Sequence, residues 1–159
     1  MNTTEIAPSL KTLFVELVEG APENGAYMLN QGDAGLLRSL DKLDAAAASH
    51  VTSTGSSIAA HVDHVRYGLW LLNRWAAGEN PWGDADWTGS WRKTSVSEPE
   101  WTQLRAALRD EARRWTNALA TPRDVSELEL NGIIGSIAHV AYHLGAIRQI
   151  DRAARGPSA

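Results

Sequence analysis

The sequence contains no cysteine. Disulfides, thiolate metal ligands and cysteine nucleophiles are therefore excluded. Basic stretches are also missing: net charge is -4 and the pI is near 5.7. Without a cationic footprint for phosphates, no nucleic-acid partner is expected. No apolar run approaches the roughly 20 residues that cross a bilayer, so no membrane partner is expected either. The opening stretch MNTTEIAPSLKTLF lacks a basic start followed by an apolar segment, which argues against a secretory signal and for a cytoplasmic location. Glycine-rich phosphate loops, GxSxG elbows, HExxH and the Glu-x-x-His motifs of di-iron bundles do not occur.

What is present fits one domain over residues 1–159, long enough to bury a core. Hydrophobic residues make up 43% and charged residues 21%, the ordinary globular range. Tryptophan supplies seven of the eleven aromatics, and five of these lie between Trp70 and Trp91. Such a concentration reads as core and loop packing, or as the wall of a pocket.

Helical periodicity dominates and strand signals are nearly absent. A first helix is expected over 6–19, capped by Ser9, with Leu10, Leu13, Phe14, Leu17 and Val18 on one face. Residues 21–32 form a connection that docks Tyr27, Met28 and Leu29 on the core. Asp33 caps a short helix to about Leu43, which DAAAASH either continues or leaves. Ser56 or Ser57 caps a helix to about Ala77, with Ile58, Val62, Val65, Leu69 and Leu72 as its stripe. Residues 78–96 are a loop long enough to be functional or to wrap a cavity. Ser97 and Glu100 read as a capping box for a helix to about Leu119. The last helix is expected from Asn131 to about Ala154, before Gly156-Pro157. Arg148, Arg152 and Arg155 would complement its negative end. The expected fold is all-α: a four-helix bundle with an additional short helix.

The chemistry lies in the histidines. His139 and His143 stand four residues apart, one above the other on one helical face, a spacing that lets two imidazoles reach one metal ion. A third ligand must come from elsewhere. His61 and His64 share a face beside the apolar stripe of the third helix, and either can project inward. His50 lies near a loop and is the least suited. Small residues (Gly132, Ser136 and Ala146 on the last helix, Ser57 and Gly68 on the third) leave room where a packed core would place leucine. Room beside ligands suggests an open coordination position, the mark of a catalytic metal site. His61, Gly68, Trp87, Trp91 and Ser136 are the candidate pocket lining. Asp63 and Glu129 are the nearest candidate bases by sequence, although Asp63 and Tyr142 each point about one residue's rotation, 100°, away from their neighbouring histidines.

At these residues the chain resembles the DinB-like (DinB/YfiT-like) superfamily of metalloenzymes. The family's last-helix pattern, His-x-x-x-His-x-Gly-Gln-Ile, is similar to His139-Val-Ala-Tyr-His143-Leu-Gly145-Ala-Ile147, with Ala146 in place of the glutamine. Its other pattern, Ser-Ile with a histidine six residues after the isoleucine, is similar to Ser57-Ile58 and His64. His61 falls where the family commonly has an apolar residue. The resemblance covers most of the chain in helix order, and its specific motifs cover residues 56–70 and 135–150. It implies a DinB-like bundle with His64, His139 and His143 holding zinc or nickel; His61, on the same helix face, is the alternative ligand that the sequence itself offers. It further implies a metal-dependent enzyme acting on a small-molecule substrate, an S-transferase or isomerase using a low-molecular-weight thiol. A metal-dependent hydrolase and a non-enzymatic small-molecule binding protein are the alternatives. Pairing of two copies through an exposed helix face is compatible with a bundle of this size.

Overall fold

The computed structural model describes residues 1–53 and 55–155. Among the described residues there are six helices: α1 (Ala7–Glu19), α2 (Gly35–Leu40), α3 (Ala45–Ser49), α4 (Ile58–Ala76), α5 (Glu98–Ala120) and α6 (Glu127–Ile150). Three 3-10 turns join them, at Pro81–Gly83, Gly89–Trp91 and Arg152–Ala154. Among the described residues there is no strand, only one antiparallel bridge between Asn2 and Asp124. The all-helical expectation holds, with one more short helix than anticipated.

The four long helices bury a continuous core. Both α1 and α4 pack against both α5 and α6. Phe14, Leu17, Ile58, Leu108, Leu144 and Ile147 are fully buried there. Each indole of the two fully buried tryptophans has a partner, as a buried N–H requires. Trp101 donates to the Leu43 carbonyl (2.8 Å) and Trp115 to the Ser136 hydroxyl (2.9 Å). These two lie outside the Trp70–Trp91 cluster, whose members are all partly or largely exposed.

Local signals explain most helix boundaries. Ser57 caps α4 by accepting from the Ala60 amide (3.2 Å). The Ser97 amide donates to the Glu100 carboxylate (2.7 Å), closing the anticipated capping box of α5. Two starts differ from expectation. The residue preceding α1 is Ile6, without a side-chain cap, and Ser9 is exposed inside the helix. Helix α6 begins at Glu127 rather than Asn131, because Ser126 and Glu129 form a second capping box. The chain turns after α2 and restarts as α3, where Asp44 accepts from the Ala47 amide (2.8 Å). Helix α6 ends at Ile150, short of the expected end near Ala154, because Asp151 leaves the helical conformation and caps the 3-10 turn that follows; Gly156-Pro157 lie outside the described residues.

Two buried carboxylates fasten the segment after α1. Glu16, 1% exposed, accepts from the backbone amides of Tyr27, Met28 and Leu29 at 2.6–3.1 Å. Burial pushes its carboxyl up, but the three amides outweigh that and hold it below the usual range. Leu29 packs on the core as expected, whereas Tyr27 and Met28 are exposed: the connection is held by its backbone. Asp33 accepts from the Gly35 amide and forms a two-pronged ion pair with Arg148 of α6 (2.5 and 2.9 Å). Arg148 thus ties α6 to the start of α2, while Arg155 reaches back to the Arg148 carbonyl. The two glycines Gly20 and Gly35 let these segments touch: both have positive φ, and a Cβ on Gly35 would stand 2.4 Å from the Gly20 nitrogen.

Helix α6 departs from the sequence reading in a further respect. By length and composition it is apolar enough to cross a membrane, with mean hydropathy 1.2 over its best window. The value arises because Ile133, Ile137, Val140, Leu144 and Ile147 face the core, while Leu128, Ile134 and Tyr142 add apolar area on the outer side. The inner face carries His139 and His143.

Replacing the buried Glu16 leaves three amides without an acceptor. Glu16→Ala should lower unfolding stability by about 2–3 kcal/mol. Hydrogen exchange at Tyr27, Met28 and Leu29 should accelerate selectively. Unchanged protection of these amides would show that the carboxylate does not hold the segment.

Candidate metal centre

Three imidazoles converge between α4 and α6. His64, two turns into α4, is 8% exposed, and His143, two turns before the end of α6, is 1% exposed. His139 lies one turn earlier on α6. One ligand nitrogen from each lies within 4.8 Å of the others. The His139 Nε2 is the hub: it stands 3.1 Å from the His64 Nε2 and 2.9 Å from the His143 Nε2. A tetrahedral ion with bonds of 2.0–2.1 Å spaces its nitrogens about 3.3 Å apart. The observed separations fall a few tenths short, so a slight outward movement of the rings admits an ion. Among the described residues this is the one histidine or carboxylate grouping with metal-ligand geometry.

The rings are desolvated and uncharged. Burial, then the neighbouring His139 and His61, push the His64 pKa down to about 4. Burial, then His139, His61 and His64, push that of His143 down to about 3. Burial also lowers His139 and His61. Neutral imidazole is the form that binds metal.

The tautomer of His64 is fixed by its other nitrogen. The Ser90 hydroxyl donates to the Trp87 carbonyl (2.6 Å), so its oxygen accepts from the His64 Nδ1–H (2.7 Å). His64 therefore carries its proton on Nδ1 and presents a lone pair on Nε2. Metal-bound histidines commonly have such a partner behind the ring. Sequence reasoning missed Ser90. Its only signal was its place in the long loop, next to Trp91. The turn that delivers it is local: the Asp86 carboxylate accepts from the Gly89 amide (2.7 Å), and a Cβ on Gly89 would stand 2.2 Å from that carboxylate.

The two loop tryptophans wall the site. Trp91 stacks on His64 with ring centroids 4.3 Å apart, and Trp87 lies 5.6 Å from the same ring. Gly68 faces this arrangement: a Cβ there would make ordinary van der Waals contact with His139 at 3.5 Å and Trp87 at 3.6 Å, so the site has space for a methyl group but for little more. His61 stands behind the cluster, its Nδ1 2.8 Å from the Nδ1 of His143. It also lines a cleft of about 550 Å³ with Trp91, Tyr142, Ser56 and Gln149.

Other candidates fall elsewhere. The Ser136 hydroxyl is engaged by Trp115 and the Ile133 carbonyl, so it satisfies the core rather than lining the site. Gly132 accommodates Trp75: a Cβ there would stand 2.5 Å from the indole. Its small size therefore makes space for a tryptophan and not for an ion. Asp63 is paired with Arg66 (2.8 Å), and Glu129 is held in the capping box of α6. The Asp63 charge acts on His64 only as a minor opposing influence on its pKa. Exposed His50 ends α3. The chain matches no family model, no curated protein and no solved structure, so the geometry alone carries the reading of the site.

The buried neutral rings imply a signed pH dependence for the metal-free protein. Their folded pKa values lie below the unfolded value of about 6.5. As pH falls, the unfolded chain takes up protons first. Stability is therefore full above about pH 7 and declines as pH drops toward 5. The urea midpoint of chelator-treated protein should fall across that interval, before carboxylates titrate. A midpoint that is flat or rises between pH 7 and 5 would contradict the burial of four neutral rings.

Proposed function

We propose that this chain is a DinB-like four-helix-bundle metalloenzyme that holds one zinc or nickel ion on His64, His139 and His143. The observation that carries the reading is the meeting of three desolvated imidazole nitrogens around His139 Nε2. The donor set suits such an ion. Its rings are neutral at physiological pH, and the lone pair of His64 already points inward.

Three neutral ligands leave the full +2 charge of a bound ion, which can polarise a substrate oxygen or lower the pKa of a bound water or thiol to near neutrality. The chain has no cysteine, so a thiol nucleophile would have to be brought in as a low-molecular-weight cofactor. The reading is accordingly a thiol-dependent S-transferase or isomerase with a small-molecule substrate. Trp87 and Trp91 would exclude water from one side of the histidines. The cleft bounded by His61, Trp91, Tyr142 and Gln149 offers aromatic surface and neutral hydrogen-bonding groups to a small organic molecule.

Protein purified without chelator should contain about one equivalent of zinc or nickel by elemental analysis. After stripping, metal restored at roughly 100 times its dissociation constant should stabilise the fold by about 2.7 kcal/mol. His139→Ala, at a half-buried position, should abolish this gain and any turnover with a panel of low-molecular-weight thiols and electrophiles. Absence of metal, together with no thermal shift across several divalent ions, would overturn the reading.

A further inference from the structure

If each contact among the four histidines and Ser90 is a hydrogen bond between neutral rings, together they fix where each proton sits in the metal-free protein. Ser90 fixes the His64 proton on Nδ1, so the His64 Nε2 has only a lone pair to offer. The 3.1 Å contact between His64 Nε2 and His139 Nε2 then needs its hydrogen from His139. With the His139 proton on Nε2, the 2.9 Å contact makes the His143 Nε2 an acceptor. The His143 proton must therefore sit on Nδ1. From there it bridges the 2.8 Å gap to the Nδ1 of His61, which accepts. The opposite assignment, with the His143 proton on Nε2, leaves two lone pairs facing each other at 3.1 Å between His64 and His139. Every neutral ring has one N–H, and only one arrangement satisfies all the contacts.

We infer that His61 is a positioning residue: it accepts the Nδ1–H of His143 and so holds the His143 Nε2 lone pair ready for the metal, as Ser90 does for His64. The inference rests on the proposed metal site for its use and on the hydrogen-bond directions for its geometry. Two of the three ligands then face inward in binding form before any ion arrives, and only His139 must move its proton off Nε2. His61 keeps its own proton on Nε2. That N–H is the ring's remaining donor, and His61 is among the residues that line the cleft beside Trp91 and Tyr142.

The test uses the full-length chain with His61→Leu and His61→Asn. Asparagine places an acceptor oxygen where the Nδ1 of His61 lies, and leucine offers none. Zinc affinity, read by competition with a chromophoric chelator, should weaken 10- to 100-fold in His61→Leu. It should stay within about threefold of the wild type in His61→Asn. Long-range ¹H–¹⁵N correlation on metal-free protein should show His143 protonated on Nδ1 in the wild type and in His61→Asn, but not in His61→Leu. Equal weakening by both substitutions would reduce His61 to packing and overturn the inference. So would a wild-type His143 protonated on Nε2. A wild type that takes up no zinc would overturn the metal site itself, while the tautomer measurement, made without metal, still decides whether His61 sets His143.

Discussion

Three imidazole nitrogens pointed at one another inside a protein form an arrangement with few stable solutions. Each is a lone pair or an N–H, and two lone pairs at 3 Å repel. With the hydrogen-bond directions inferred for the metal-free protein, the cluster of His64, His139 and His143 meets this constraint by sharing a single proton at its centre, at the Nε2 of His139. A divalent cation in the same place would satisfy all three lone pairs at once. The remaining features of the site follow from this pressure. Ser90 and His61 stand behind two of the rings, and the tryptophans seal one flank.

The fold holds the cluster by fixing two helices and one loop. Packing of α4 and α6 on α5 and α1 sets the distance between the two histidine-bearing faces. Caps at both helix starts set where along each helix those faces begin: Ser57 for α4, and Ser126 with Glu129 for α6. The third fixed point is the Asp86–Trp91 turn, which brings the Ser90 hydroxyl to His64. Tyr67 anchors that turn by accepting from the Asp86 amide (2.8 Å). At the far end of α6, the Arg148–Asp33 pair ties the helix to the segment that Glu16 fastens. Charged groups thus serve as distant fasteners, and the centre itself is neutral.

Much of this was legible in the sequence because it follows from short spacings. The four-residue step from His139 to His143, the cap at Ser57, and the Ser97–Glu100 box depend on helical geometry alone, and the chain follows it there. Three things were hidden. The choice between His61 and His64 turns on a rotation of 300° around α4, and both rings point inward: one meets the cluster through Nε2, the other from behind through Nδ1. Ser90 depends on how a long loop folds back, which no local spacing announces. Small size has a different meaning at each position: Gly68 faces the site without a clash that demands glycine, Gly132 seats Trp75, and Ser136 serves Trp115. The Ser126–Glu129 box is legible in the sequence, and it starts α6 four residues before the Asn131 that the apolar stripe suggests. Residues 127–130 form the first turn of that helix, and the apolar stripe only becomes regular after them.

X-ray absorption at the zinc edge, on protein loaded with one equivalent, tests the central claim most directly. The account requires scattering from three imidazoles with zinc–nitrogen distances of about 2.0–2.1 Å, plus a light atom from a non-protein ligand. The imidazole count should fall to two in His64→Ala. A spectrum with two imidazoles or fewer in the wild type, or one fitted best by carboxylate oxygens alone, would contradict it.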